Sequence, residues 1–434
     1  MSPLPPLPRY VEIPEHLSKP LGTSGPRLLE IERSKASFSS AELARYLHGD
    51  DYLERKRRLV ELFEHEPAFD KRSLPYMSRT DKYKHGLAKD KRFAQLELEH
   101  NWSPEDKMLA EELLDMPAAF GLHKSMFTKT LQEQTTDEQK ELFLKPAQNY
   151  DIIGCYAQTE IGHGSNVQGL ETTATYDPAT ETFVLQSPGL SSAKYWIGGL
   201  GRAADHAIVM AQLFTPDGKN GKLVKRGPHP FVVPIRDVKS REPLPGRYIM
   251  DIGPKAGYAL TDNGFMLLDN VRIPHVNFLA GFSQVDRESG KYSPAVNARL
   301  SFGTMTYIRA NIVQNARNAL ARSATVAVRY CAVRRQFADR DAPVMDGNRP
   351  AETQVLNYQL VQARVFPVLA QAFACHFTGK SMMQAYEENQ QAMAQGDYSR
   401  LADVHASSSG LKSLCTIMAS DGIVRPRFAL FVHR

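Results

Sequence analysis

The sequence predicts an α+β protein whose chain runs helices, then a small antiparallel sheet, then helices again. Three observations lead there. Residues 25–148 carry helical periodicity with start signals. From Asp151, β-branched and aromatic residues alternate with polar ones between closely spaced turns. Beyond Ser293 the helical period returns in long runs. Without βαβ alternation or an internal repeat, a doubly wound nucleotide fold is disfavoured. The expected division is a helical domain at 1–150, a sheet domain at 151–288 and a partial helical bundle at 289–434.

Each region has local reasons. Ser39 with Glu42, and Thr136 with Gln139, have the spacing at which two side chains satisfy free first-turn amides reciprocally. Ser103 before Pro104 sets a capping hydroxyl ahead of a residue whose fixed φ suits the first helical position. Thr172–Tyr176 and Thr182–Leu185 flank the turn Asp177–Thr180, and His206–Phe214 and Pro230–Ile235 flank a loop with Pro216, Asp217 and Gly218. Gly264–Ile273 reads as one further strand, with the sheet region ending near residue 285. Leu300–Arg335, Thr353–Gln390 with a kink at Pro367, and Ala402–Ile423 read as long helices.

Composition narrows the function. The 434 residues allow two or three cores, and 42% hydrophobic with 23% charged residues is ordinary for a folded protein, so disorder is excluded as the general state. The net charge of +5 with mixed signs suits an anionic ligand better than a nucleic acid. The densest basic run, Arg55–Arg58, is bordered by Glu54 and Glu61 and has no interleaved aromatics, so it reads as a solvated helix face. Cys155, Cys331, Cys375 and Cys415 show neither metal-ligand nor disulfide-framework spacing and read as reduced thiols. The N-terminus lacks a secretory pattern and no uninterrupted apolar stretch reaches membrane length, so neither secretion nor a membrane span is expected.

No phosphate-cradling loop of known spacing is present; Gly162–His163–Gly164 and Gly198–Gly199–Leu200–Gly201 name no ligand by themselves. Their surroundings do more. The run Tyr156–Ser165, followed by Gly169–Tyr176, then Lys194–Gly201, Asp251–Lys255, Asp262–Phe265 and Tyr330–Phe337, resembles the acyl-CoA oxidase family from about residue 25 to 423. The resemblance implies an acyl-CoA dehydrogenase/oxidase-like fold with an incomplete C-terminal bundle. It also implies FAD as cofactor, a fatty acyl-CoA and dioxygen as substrates, enoyl-CoA and hydrogen peroxide as products, and a peroxisomal location.

Carried over residue by residue, the resemblance makes Thr159 a flavin hydrogen-bonding position and sets Gly198 beside the ring, with Trp196 walling its pocket. A short hydroxyl can both donate and accept at a ring edge. Dehydrogenase relatives usually carry a hydroxyl residue at the position of Gly198, so its missing side chain is expected to open space for dioxygen. Ser165 falls in the loop that meets the acyl-CoA phosphopantetheine. Arg334, Gln336 and Phe337 match a helix end that reaches the FAD of a neighbouring subunit, which implies a homodimer or a hetero-oligomer with related subunits. Arginine suits a pyrophosphate through its permanent charge and forked donors. A dehydrogenase and a non-catalytic flavin- or acyl-CoA-holding subunit are the competing readings; Gly198 and the Tyr156–Glu160 run favour the oxidase over the dehydrogenase.

After Ile423 the sequence departs from the family pattern. Val424–Arg434 replaces a Cys/Gly-rich segment that precedes the family's base, so the resemblance implies a C-terminally truncated chain lacking its proton-abstracting half. The alternative position ahead of Arg299 holds Ala298. The catalytic base is therefore unassigned, and Glu160, beside Thr159, reads as structural. Phe431–Arg434 is not an S-K-L-type signal.

Overall fold

The structure is a computed structural model that describes residue 14 and residues 23–114, 119–216, 222–295, 303–338, 341 and 351–431. It forms two compact units. One contains residues 48–304; the other contains the described residues before 48 together with residues from 305 onward. Ala298 and Arg299 lie outside the described residues.

Helices α1 (Gly25–Ser34) and α2 (Ser40–His48) open the chain. Ser39 Oγ accepts the Glu42 amide at 3.3 Å, as its spacing predicts. In the first unit, α3 (Asp50–Glu64), α4 (Arg79–Glu99) and α5 (Pro104–Leu114) bury Leu59, Phe93, Leu96, Trp102 and Leu109 in one cluster. The basic run on α3 is only partly a solvated face. Arg57 lies exposed against Glu54 and Glu61, but Arg58 reaches Asp106 at 2.6 Å and ties α3 to the start of α5. The capping box of Thr136 and Gln139 is complete, and Gln139 also donates to the carbonyls of Val276 and Phe278.

The sheet region holds β1 (Gly154–Ala157), β2 (Thr173–Asp177), β3 (Thr182–Gln186), β4 (Lys194–Gly198), β5 (His206–Pro216), β6 (Leu223–Pro234), β7 (Arg247–Asp251), β8 (Asn263–Leu268), β9 (Val271–Pro274), β10 (Gln284–Val285) and β11 (Tyr292–Ser293). The β2–β3 hairpin forms as its turn predicts, and β5 pairs with β6, though Pro216 falls within β5 and β6 begins at Leu223 rather than Pro230; Asp217 and Gly218 lie outside the described residues. The expectation of an antiparallel sheet needs correction, because β1 and β2 both pair with β5 in parallel. Ala157 lies opposite Val209 and Thr173 opposite Gln212, so β1 and β2 run end to end along one edge of β5. Residues 158–172 leave that edge and rejoin it in the same direction. Gly264–Ile273 is likewise two strands: Asn270, at φ 50°, turns the chain, and β8 joins β4 and β7 while β9 joins β3.

In the second unit α6 (Gly303–Val333), α7 (Gln359–Ala394) and α8 (Leu401–Phe431) bury Val313, Leu320, Val368, Ala372, Cys375 and Cys415. Pro367 is accommodated inside α7, and α8 runs past the expected end at Ile423 to Phe431. α7 has the length and mean hydropathy (1.2 over its most apolar window) of a membrane span, by length and composition only. Its buried residues pack on the neighbouring helices.

Phe366, Phe377, Leu414, Ile417, Ile423 and Val424 are exposed on α7 and α8. Exposed apolar side chains in such number favour association. The purified chain is expected to gain mass with concentration in light scattering, and Leu414→Lys with Ile417→Lys to reduce the gain. A side-chain carbon added at Gly154 would lie 2.1–2.2 Å from atoms of the buried Phe127 ring. Gly154→Ala should therefore cost about 1–3 kcal/mol, measured by denaturant unfolding.

Candidate functional site

Thr159 follows β1 and is half-buried; its carbonyl accepts the Tyr195 amide at 3.0 Å, which seats it beside β4. Its hydroxyl has no hydrogen-bond partner among the described residues. Across β4, pairing with β8 is interrupted by a bulge between Lys194 and Ile197. Within it Trp196 takes φ 66°, an uncommon conformation for a bulky residue, and its side chain is turned outward, 55% exposed. Its carbonyl accepts Asn263 Nδ2 at 2.6 Å, which holds the bulge. The indole is thus displayed at the surface rather than packed in the sheet core.

Gly198 ends β4 in register with Asn263 and is buried. A side-chain carbon here would lie 3.0 Å from Leu122 Cδ1 and 3.7 Å from Thr261 Cγ2. A side chain at that position would therefore require Leu122 to shift by a few tenths of an ångström. Gly199 follows at φ 80° and donates its amide to the Asp262 carbonyl at 2.9 Å. Ser165 is exposed on the loop between β1 and β2. Thr159, Ser165, Trp196 and Gly198 thus all belong to the first unit. Arg334, Gln336 and Phe337 follow the end of α6 in the second. There Arg334 Nε donates to Gln336 Oε1 at 3.2 Å, its guanidinium lies 5.6 Å from the Tyr330 ring centre, and Phe337 is exposed at φ 58°. A groove of about 580 Å³ in the second unit, lined partly by Phe377, Met382, Arg400 and Leu411, contains none of these residues.

The residue that the sequence reading passed over is Lys194. It is fully buried, and its ammonium donates to Glu160 Oε1 at 3.0 Å and to the carbonyls of Gln158 and Met210 at 3.2 and 2.7 Å. Glu160, 1% exposed, also accepts the amides of Glu171 (2.8 Å) and Thr172 (3.0 Å) and the Thr172 hydroxyl (2.6 Å), with His163 Nδ1 at 3.2 Å. Burial pushes the Lys194 ammonium down to about 8. For Glu160, burial alone would raise the carboxyl, but the Lys194 charge and the bonds from Glu171 and Thr172 outweigh it and hold it below its ordinary value. The structural reading of Glu160 follows. A lysine facing inward from an alternating strand was the available signal, because an ammonium at a core position demands a carboxylate nearby.

Below the sheet, Asp251 accepts from Arg79 at 2.6 Å and from Arg202 at 2.9 Å, while the Asp262 carboxylate takes the Arg202 amide at 2.7 Å. These bonds fasten the Gly198–Arg202 turn to β7 and β8. The Asp262 carboxyl is raised by burial, against its hydrogen bonds.

Removing one member of the buried pair leaves a charge without its partner. Lys194→Met should cost about 3–5 kcal/mol, and Glu160→Gln with Lys194→Met less than the sum of the single changes, read from urea midpoints. Because Glu160 is depressed in the folded chain, its contribution is complete above the unfolded value and is lost as pH falls through the folded one. Midpoints recorded between about pH 3 and 7 should fall on the acid side, and less steeply in the charge-neutral double variant.

Comparison with known proteins gives two family matches: residues 39–153 to the acyl-coenzyme A oxidase N-terminal domain and residues 302–431 to the acyl-CoA oxidase C-alpha1 domain. Peroxisomal acyl-coenzyme A oxidase 1 of Rattus norvegicus is 40% identical over 409 residues, 93% of this chain and 60% of its own. The putative peroxisomal acyl-coenzyme A oxidase 1.2 of Arabidopsis thaliana is 41% identical over 402 residues, 91% of this chain and 58% of its own. Among solved structures, Arabidopsis thaliana acyl-CoA oxidase 1 superposes with a TM-score of 0.86 at 40% identity, covering 93% of this chain and 60% of its own. Acyl-CoA oxidase-2 of Caenorhabditis elegans, bound with FAD, ascaroside-CoA and ATP, gives 0.86 at 35% identity, covering 94% and 60%. The chain spans about 60% of the length of these relatives. Two matched domains, conserved order of helices and sheet, and identity over nearly its whole length place this chain in the acyl-CoA oxidase family.

Proposed function

We propose that this chain carries the flavin side of an FAD-dependent acyl-CoA oxidase of peroxisomal fatty acid β-oxidation. The observation that carries the reading is the junction of β1 and β4. A half-buried threonine hydroxyl without a partner among the described residues stands beside a tryptophan that a strained bulge turns outward. Strain of this kind costs of order 1–3 kcal/mol and is retained where surroundings over-determine it, commonly at ligand sites. A hydroxyl and a displayed indole suit a flat, amphipathic ring with polar edges.

Thr159 and Trp196 would hold the ring, with Gly198 packed behind them on Leu122. Arg334, Gln336 and Phe337 would meet the FAD of a second subunit, Arg334 through its permanent charge. The chemistry supplied by bound FAD would be acceptance of a hydride from the acyl β-carbon and reduction of dioxygen to hydrogen peroxide. The chain's own contribution is to bind and orient. Ser165, exposed on a loop whose neighbouring Gly164 has open space around it, would meet the phosphopantetheine arm. Glu160 is excluded as the base for the α-proton, because its oxygens are occupied by Lys194, Thr172 and two backbone amides.

Binding of FAD is the direct test. The chain should bind FAD with a shifted and structured visible absorbance, and Trp196→Ala or Thr159→Val should weaken it about tenfold or more, each amounting to roughly 1.4 kcal/mol. With Glu160 occupied and no other base for the α-proton assigned, the chain alone is expected to release no peroxide from hexadecanoyl-CoA under air, and release would overturn the exclusion of Glu160. A folded chain that binds no FAD at micromolar concentration would end this reading.

A further inference from the structure

We infer that Glu160 is a positioning residue for the acyl-CoA-facing loop: it closes the neck of the loop between β1 and β2 and, through Lys194, fastens that neck to the strand bearing Trp196 and Gly198. The inference rests on the flavoenzyme reading for its ligands, but its geometry stands apart from them.

β1 and β2 lie end to end on one edge of β5, so the loop that joins them has ends only a few residues apart along that edge. A loop of this kind is held by its own side chains rather than by a strand ladder. Glu160 stands at its entry and Thr172 at its exit, and the carboxylate binds the exit amides of Glu171 and Thr172 directly. His163, within the loop, reaches the same carboxylate. Lys194, the first residue of β4, joins Glu160 to Met210 of β5, so one buried ion pair connects loop, edge strand and flavin-side strand. Further along, the loop is fastened by Gln212 Nε2 to the Gln168 carbonyl at 2.9 Å and by the Gly162 amide to the Ser191 carbonyl at 2.8 Å. None of these reaches both ends of the neck. Glutamine in place of Glu160 would present one amide group to donors that need acceptors, and the neck would lose part of its closure.

Hydrogen exchange of the full chain tests this without any ligand. In Glu160→Gln, amides of residues 161–171 should exchange about tenfold faster or more, while those of β5 and β6 keep their protection. Should that variant fold poorly, Glu160→Gln with Lys194→Met removes the clamp without leaving a charge buried, and the same loop-confined increase is expected. Unchanged loop exchange in the folded double variant would overturn the inference, as would an increase spread evenly over the sheet. A second readout separates positioning from general support. Affinity for hexadecanoyl-CoA should fall about tenfold while FAD affinity falls less than about threefold; equal losses would contradict a role in the loop. Failure of the unaltered chain to bind either compound would count against the flavoenzyme reading, leaving the exchange result to decide the clamp.

Discussion

A lysine and a glutamate shut together inside a sheet constrain everything that touches them. The charges of Lys194 and Glu160 are out of contact with water, so each hydrogen-bonding position must be filled, and the fillers come from the two ends of the loop between β1 and β2 and from β4 and β5. Such a pair contributes little net stability compared with apolar residues of the same size, yet it is costly to break. Its effect is therefore on geometry: only one register of β4 against the loop's neck satisfies both groups.

That register bears on the bulge two residues later. With Lys194 committed inward, strict alternation would also turn Trp196 inward, since residues two apart share a face. The shift between Lys194 and Ile197 releases the indole to the other side, and the Asn263 bond to its carbonyl holds it there. Gly198 then closes against Leu122, and Gly199, at positive φ, leads into a turn fastened by Asp262 and Asp251. A displayed aromatic and an adjacent hydroxyl are thus products of a buried charge pair and a strand defect.

The helical regions follow simpler rules and were correspondingly legible. Caps at Ser39, Ser103 and Thr136 are local events, settled by a side chain and an amide three residues away. The three long helices of the second unit appear close to their periodic signals, because burying one apolar stripe suffices to place a helix. Where the reading slipped, a non-local event decided. Asn270 divides an apparent single strand between two sheets, and β1 and β2 pair in parallel along the same edge of β5.

By itself the sequence determined the order of helices and sheet, the family, and the residue types at Thr159, Ser165, Trp196, Gly198, Arg334, Gln336 and Phe337, since periodicity, turn chemistry and short motifs are properties of neighbouring residues. Only the tertiary structure decided that Lys194 is the partner of Glu160, that Trp196 faces outward, and that Leu122 packs beside Gly198. Those outcomes join residues dozens of positions apart, and they depend on strand register and burial, which no local stretch of chain encodes.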